Sequence, residues 1–466
     1  MNTTRSIAIL TVLCMTSALA DQTIPDNYDT TSSSKTLTVA PGDVDTYTGL
    51  FSGSKNLYLS AGSEGTVVGG GTAVLTNPEN TFSGTFGLGL TAANPNGVFR
   101  FDSAGASGTA RCYTSGGSKE GSIRQFQFNA EGATFHNNLE MGGSGNTGYE
   151  YSPFKFMKSC TLAGTIVTAL SGGKRSGKTI AIIDDPNERP TVNFLGDVEV
   201  GGHFSLVPSG TFKMYGALSV PGILFLDSTN VLGTVELYNH SNAISQVMIG
   251  YTNLRLMEPN VLTNATLNLS TTRLYETAGA ADVYLYANQS IKAFACGSRA
   301  YRNAGVIYAA VASELAFEGH AEDSASNKCR FAFNGPLSLV KTGTGIQDFN
   351  YRNESTMTGA ITVRGGTFKV SGTAAFPNAS AVNVENGLLD LNVATPFSKL
   401  QSVSIGSTGQ IASSSSTSIT IETDNLEIGG QTLLKGFYTS ATHPANIGEG
   451  ITIKCNKKGG LMMILR

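Results

Sequence analysis

The stretch VNFLGDVEVGGHFSLVPSGTFKMYGALSVPGILFL, Val192–Leu226, decides how this chain is read. Three apolar-x-apolar triplets stand in order: Val192-Asn193-Phe194, Val198-Glu199-Val200 and Phe204-Ser205-Leu206. They return in the same order as Phe212-Lys213-Met214, Leu218-Ser219-Val220 and Leu224-Phe225-Leu226. The glycines shift with them, Gly196 to Gly216 and Gly202 to Gly222. Each triplet is a minimal strand, with two side chains on one face and one on the other. Glycine at the breaks allows the positive φ that tight corners often need. A fixed period with three short strands per coil predicts a stacked all-β solenoid, an elongated right-handed parallel β-helix of ~20 residues per coil. Each inward Val, Leu or Phe contributes about 1.5–3 kcal/mol on full burial. A lone coil cannot hold, because only its neighbours cover its apolar face.

The pattern extends outward with looser spacing, as in Phe126-Gln127-Phe128, Leu139-Glu140-Met141, Val382-Asn383-Val384, Ile419-Thr420-Ile421 and Leu426-Glu427-Ile428. One segment, 305–317 (GVIYAAVASELAF), reads as either helix or strand. At 466 residues the chain exceeds the ~250–300 residues over which one globular core keeps growing, so it must divide or extend as a repeat. Charged residues make up 14%, against about 25% in ordinary globular proteins. That scarcity, with 55 glycines, fits short strands joined by frequent turns. The net charge of −3 gives no electrostatic case for binding nucleic acid or an anionic membrane.

The N-terminus has the layout of a secretory signal: Arg5, an apolar run from Ile7 to Leu13, and Ala18-Leu19-Ala20 as the cleavage pattern before Asp21. Cys14 follows Leu13 where lipidation wants a small residue, and is read as part of the discarded peptide. No stretch approaches the ~20 apolar residues of a membrane helix, so the mature chain is expected to lack a transmembrane segment. The tail Leu461–Arg466 reads as a last strand. The expected organisation is a signal peptide over 1–20, a solenoid over 21–425 and C-terminal capping strands over 426–466. Five cysteines remain after cleavage. In an oxidising compartment Cys112–Cys160 and Cys296–Cys329 are candidate disulfides, with Cys455 left over; no spacing matches a zinc site.

Residues 337–370 carry a family resemblance. LSLVKTGTG (Leu337–Gly345) leads into TMTGAITVRGGTFKV (Thr356–Val370). This resembles the autotransporter-associated β-strand repeat: an L-x-K-x-G-x-G opening, a central T-G, then V-x-G-G-T-h-x-V. GGGTAVLTNPENTFSG (Gly69–Gly84) is a weaker match, and Gly436-Phe437-Tyr438 with Ile447–Ile453 resembles the closing segments of such proteins. The resemblance implies a passenger-type β-helix at a bacterial cell surface or outside the cell. Autotransporters end in a membrane β-barrel of many amphipathic strands. Ser371–Arg466 is all that follows the motif, and it holds no such series, so a fused barrel is not expected.

Several constellations could carry chemistry. SGGKRSGKT (Ser171–Thr179) satisfies the P-loop pattern, in which Lys178 would reach the β/γ-phosphates and Thr179 a magnesium ion. That mechanism needs a helix at the Lys-Thr end. The next residues, IAIIDDPNERP, are β-like, so Lys178 is read as a decoy in a turn, and no cofactor is expected. Asp184 and Asp185, with His203 nearly one coil on, could form an acid/base cluster like those of polysaccharide-cleaving β-helices. The competing reading is a solvated turn before Pro186 and a corner histidine. His320 has Glu318, Glu322 and Asp323 around it, a possible metal set or a charged turn; His136, His240 and His443 are scattered. Tyr251, Tyr275, Tyr284 and Tyr286 could stack on sugar rings or simply populate strand surfaces. The expectation is a non-enzymatic, exported, adhesin-like or matrix protein. Its partners would be surface glycans or other cell-surface proteins. The alternative is a carbohydrate-active β-helix enzyme using Asp184, Asp185 and His203.

Overall fold

The computed structural model describes residues 22–60, 70–88, 97–115, 124–142, 153–169, 179–183, 187–226, 228, 231–269, 282–296, 305–324, 327–350 and 355–457. Across Val192–Leu226 the strands pair as the recurrence of the triplets requires. Val192 lies beside Phe212 and Phe194 beside Met214; Val198 meets Leu218; Phe204 and Leu206 meet Leu224 and Leu226. All these pairings are parallel, and the apolar members of every triplet are buried. The strand Leu218–Leu226 turns a corner, pairing with Val198–Val200 through its first part and with Phe204–Pro208 through its second. Two faces of the coil thereby belong to one 19-stranded sheet. A nine-stranded sheet forms a third face, and a 13-stranded sheet carries the solenoid to its C-terminal end.

The period is not constant. The coil from Glu236 to its partner Arg255 is short, and the coil from Thr161 to its partner Asn193 is more than half as long again. Coils keep their register because inward side chains stack along the axis while the connections absorb the difference in length. Phe99, Phe126 and Phe154 stack at 5.8 and 6.2 Å, and beside them Phe101, Phe128 and Phe156 stack at 5.6 and 5.0 Å. Each such pair adds about 0.5–1.5 kcal/mol beyond its burial. A second aromatic cluster, from Phe294 through Phe333, Phe349 and Phe368 to Phe376, fills the later coils. The segment 305–317 resolves as two strands, Val306–Ala309 and Ser313–Phe317, and no described residue is in an α-helix.

The corner glycines have a different reason from the expected one. Gly196, Gly202, Gly216 and Gly222 do not adopt positive φ. A Cβ on Gly216 would overlap the carbonyl oxygen of Gly196 in the preceding coil, and a Cβ on Gly196 that of Gly164. Gly196 and Gly216 are glycine because successive backbones pass too closely for a side chain, and at Gly222 a Cβ would meet His203 Nδ1 and Gly202 O.

The motif at 337–370 has a specific interior. Lys341 ends the strand Leu337–Lys341 and is fully buried. Its Nζ donates to the carbonyls of Thr342 and, at 3.2 Å each, of Gly343 and Gly365. One ammonium thus ties the corner of its own coil to the corner of the next. Gly366, at φ +62°, leaves the room, since a Cβ there would meet Gly345 O and Lys341 Nζ. Burial pushes the Lys341 amine down to about 8.

Among the described strands, antiparallel ladders are confined to the C-terminal end, apart from an isolated bridge between His320 and Ile346. Ile451–Cys455 lies parallel on Ile419–Thr423, and Gly436–Thr439 then covers it antiparallel. Gln431–Leu433 folds back on Leu426–Ile428. Reversing direction there ends the parallel ladder of coils.

Candidate functional site

Lys178, Asp184 and Asp185 lie outside the described residues, as does Tyr275. The chain between them is informative: Thr179–Ile183 is a strand, flanked by Phe154–Phe156 and Phe204–Pro208. The helix that a P-loop lysine and threonine require is replaced by a sheet strand. His203 is described, and its Nδ1 accepts the Ile223 N–H at 2.8 Å. That bond sits at the register shift between Val220 and Ile223, and the ring packs edge-on to Phe225. One ring nitrogen therefore serves the backbone of the next coil.

His320 is likewise a backbone partner. Its Nε2 lies 2.5 Å from Phe294 O, which can only accept, so Nε2 carries the proton. Asp323 is held by Lys369 Nζ at 2.7 Å. Among the described residues no three His, Cys, Asp or Glu side chains converge as metal ligands.

Cys112, Cys160, Cys296, Cys329 and Cys455 are all buried thiols outside any disulfide, so the expected Cys112–Cys160 and Cys296–Cys329 bridges are not made. The first pair is separated by geometry. Cys112 pairs with Leu139, one coil on, and Cys160 with Ala133 in that same next coil. Two coil steps of ~4.8 Å exceed the ~7 Å limit for bridged Cα atoms. Cys296 and Cys329 lie near each other, and Cys296 adds to the upward push that burial gives the Cys329 thiol. Burial also raises Cys112 far above the ordinary range and Cys160 to about 12. Thiols so raised are protonated and inert.

The outward row of the nine-stranded sheet runs Thr134, Thr161, Asn193, Lys213, Glu236, Arg255, Tyr284, Tyr308, Asn334, one residue per coil. Glu236 is 5% exposed and is shared by Arg255 at 2.9 Å, Lys213 at 3.6 Å and the Tyr238 hydroxyl at 2.8 Å. The tyrosine rings face one another along the axis: Tyr284 on Tyr308 at 5.2 Å and Tyr215 on Tyr238 at 4.4 Å, with the Arg255 guanidinium 6.0 Å over Tyr284. These ring faces are occupied within the ladder, which removes the geometry for stacking a sugar on Tyr284. A second ladder, Lys328, Asp348, Lys369, Asp390, alternates in sign from coil to coil. In both ladders the ionisable groups hold register.

One concavity departs from this pattern. A groove of about 520 Å³ follows a corner over three coils, lined by Asp102, Ser103, Asn129, Glu131, Gly132 and Lys158 with intervening alanines. Arg100 grips both oxygens of Asp102 at 2.9 and 3.0 Å, and Asn129 Nδ2 donates to one of them at 3.0 Å. Glu131 accepts the Ser159 N–H at 3.1 Å, and Lys158 pairs with Glu188. The Ser103 hydroxyl oxygen is buried with no hydrogen-bond partner. No family model, no curated protein and no solved structure matches the chain.

None of these groove residues stood out in the sequence, because they come from the corners of successive coils and not from one motif. A signal was present. Phe99-Arg100-Phe101, Phe126-Gln127-Phe128 and Phe154-Lys155-Phe156 are the same triplet in successive coils, and the groove residues follow each of them.

Proposed function

We infer that this chain is an exported, non-enzymatic rod acting at a cell surface or in an extracellular matrix, where an extended surface does the binding. The observation that carries the reading is the placement of charge. Glu236, Asp348 and Asp390 are buried in outward ladders and engage neighbouring coils. A cleft that performs acid/base work instead gathers ionisable groups with contrasting environments at one point. The solenoid supplies length and a regular display of side chains, the properties an adhesin-like or structural protein uses. The signal-like N-terminus and the repeat at 337–370 support export and a passenger-type role. No helix of the described residues is long and apolar enough to cross a membrane.

The test has two parts. Intact cells producing the full chain should lose it to externally added protease, and the purified chain should release no reducing ends or unsaturated sugars from a broad polysaccharide panel. Protection from protease would refute the surface assignment, and sugar release would refute the non-enzymatic one. The second reading, a polysaccharide-cleaving enzyme, draws on a specific observation: Asp102 and Glu131 line one groove. It requires that Glu131→Gln abolish any such release.

A further inference from the structure

The corner groove has chemistry that specifies an occupant. Asp102 is immobilised by the Arg100 fork and the Asn129 amide. Asn129 uses an N–H on that contact and keeps its carbonyl oxygen as an acceptor. Glu131 uses Oε2 on the Ser159 N–H and keeps Oε1. The groove therefore offers acceptors from Asp102, Asn129 and Glu131 within one small volume. Closely spaced hydroxyl groups on a ligand, each both donor and acceptor, complement that set.

Charge narrows the class. Arg100 and Lys158 face Asp102, Glu131 and Glu188, so carboxylates outnumber cations at this corner. Lys158 is already engaged with Glu188. An anionic ligand would add to the negative excess and find its nearest cations taken. A metal ion lacks a converging donor set among the described residues. The volume suits one or two sugar rings. We propose that the groove formed by Asp102, Ser103, Asn129, Glu131 and Lys158 binds uncharged saccharide units of a surface or matrix glycan. This rests on the surface-rod reading and specifies its partner.

Saturation-transfer NMR and titration calorimetry on the full chain test it. The probes are neutral oligosaccharides (cello-, manno-, xylo-, galacto- and N-acetylglucosamine series) with oligouronates as the anionic counterpart. At least one neutral series should bind in preference to the oligouronates. Glu131→Gln should weaken that binding tenfold or more, while Tyr284→Ala leaves it unchanged. Glu131 is exposed, so its variant folds even if changes at Asp102 do not. Binding by no neutral series, preference for oligouronates, or undiminished binding in Glu131→Gln overturns the proposal. Those outcomes leave the surface-rod reading standing if the chain remains protease-accessible on cells; sugar release would sink that reading and not the groove.

Discussion

Lys341→Met would remove the ammonium that joins two coils and leave a side chain of similar length in its place. Nζ serves the carbonyls of Thr342, Gly343 and Gly365. Leaving buried acceptors unmet costs about 1–3 kcal/mol each, and relief of the buried charge offsets part of it. A net loss of about 2–4 kcal/mol at neutral pH is expected. The pH dependence separates this account from simple repacking. The native amine titrates at about 8, below its ordinary 10.5. Below pH 8 both the native and the unfolded chain carry the proton, and the wild type bears the full cost of a buried charge. Between pH 8 and 10.5 the native amine is neutral while the unfolded one still binds its proton. The folded-state pKa is depressed, so for this basic group the unfolded state binds more protons in that window and wild-type stability rises with pH, by at most ~3 kcal/mol. The methionine variant lacks that slope. Other titrating groups are common to both chains and cancel in the difference. Guanidinium unfolding followed by circular dichroism at pH 7.5 and 10 therefore should show the gap between wild type and variant widening at high pH. A constant or shrinking gap, or a variant as stable as wild type, would refute the reasoning.

Gly216→Ala should destabilise by about 1–3 kcal/mol through overlap with Gly196 O. Gly429→Ala, where φ is +58° and the space is open, should cost no more than ~1–2 kcal/mol of backbone strain; equal urea midpoints for Gly216→Ala and wild type would contradict the close-approach explanation. Glu236→Gln strands Lys213 and Arg255 beside a neutral amide, and since those partners are about a third exposed the expected loss is ~1–3 kcal/mol after solvent screening, measurable as a lower thermal midpoint. Cys112 and Cys329 should stay unlabelled by a thiol reagent at pH 8 in the native chain and label fully in denaturant. Rapid native labelling of either would contradict their burial.

The fold was legible where successive coils have equal length. From Val192 to Leu226 the interval between recurring triplets is the coil itself, so they stand in plain view and pair as written. Elsewhere the connections differ in length, as between Phe99 and Phe126 or Cys160 and Val192, and alternation survives while the period does not. The corner glycines were visible, but their cause was not, because close approach to Gly164 and Gly196 is a contact between coils. The same holds for Lys341, whose motif was readable and whose carbonyl partner in the following coil, Gly365, was not. Cys112 and Cys160 were candidate partners for an oxidising compartment, yet the solenoid sets them two coil steps apart. The groove was the least legible feature, since Asp102, Asn129 and Lys158 become neighbours only when three coils stack.

Pulsed electron–electron spin resonance tests the stacking most directly. Nitroxides would be placed on the outward row of the nine-stranded sheet, with the native thiols buried. Thr134 to Arg255 spans five coil steps and Thr134 to Tyr308 seven. At about 4.8 Å per coil the backbone separations are ~24 and ~34 Å, increasing with coil number whatever the sequence distance. Measured distances that follow that increment support the solenoid; distances that coincide, or a second shorter than the first, contradict it.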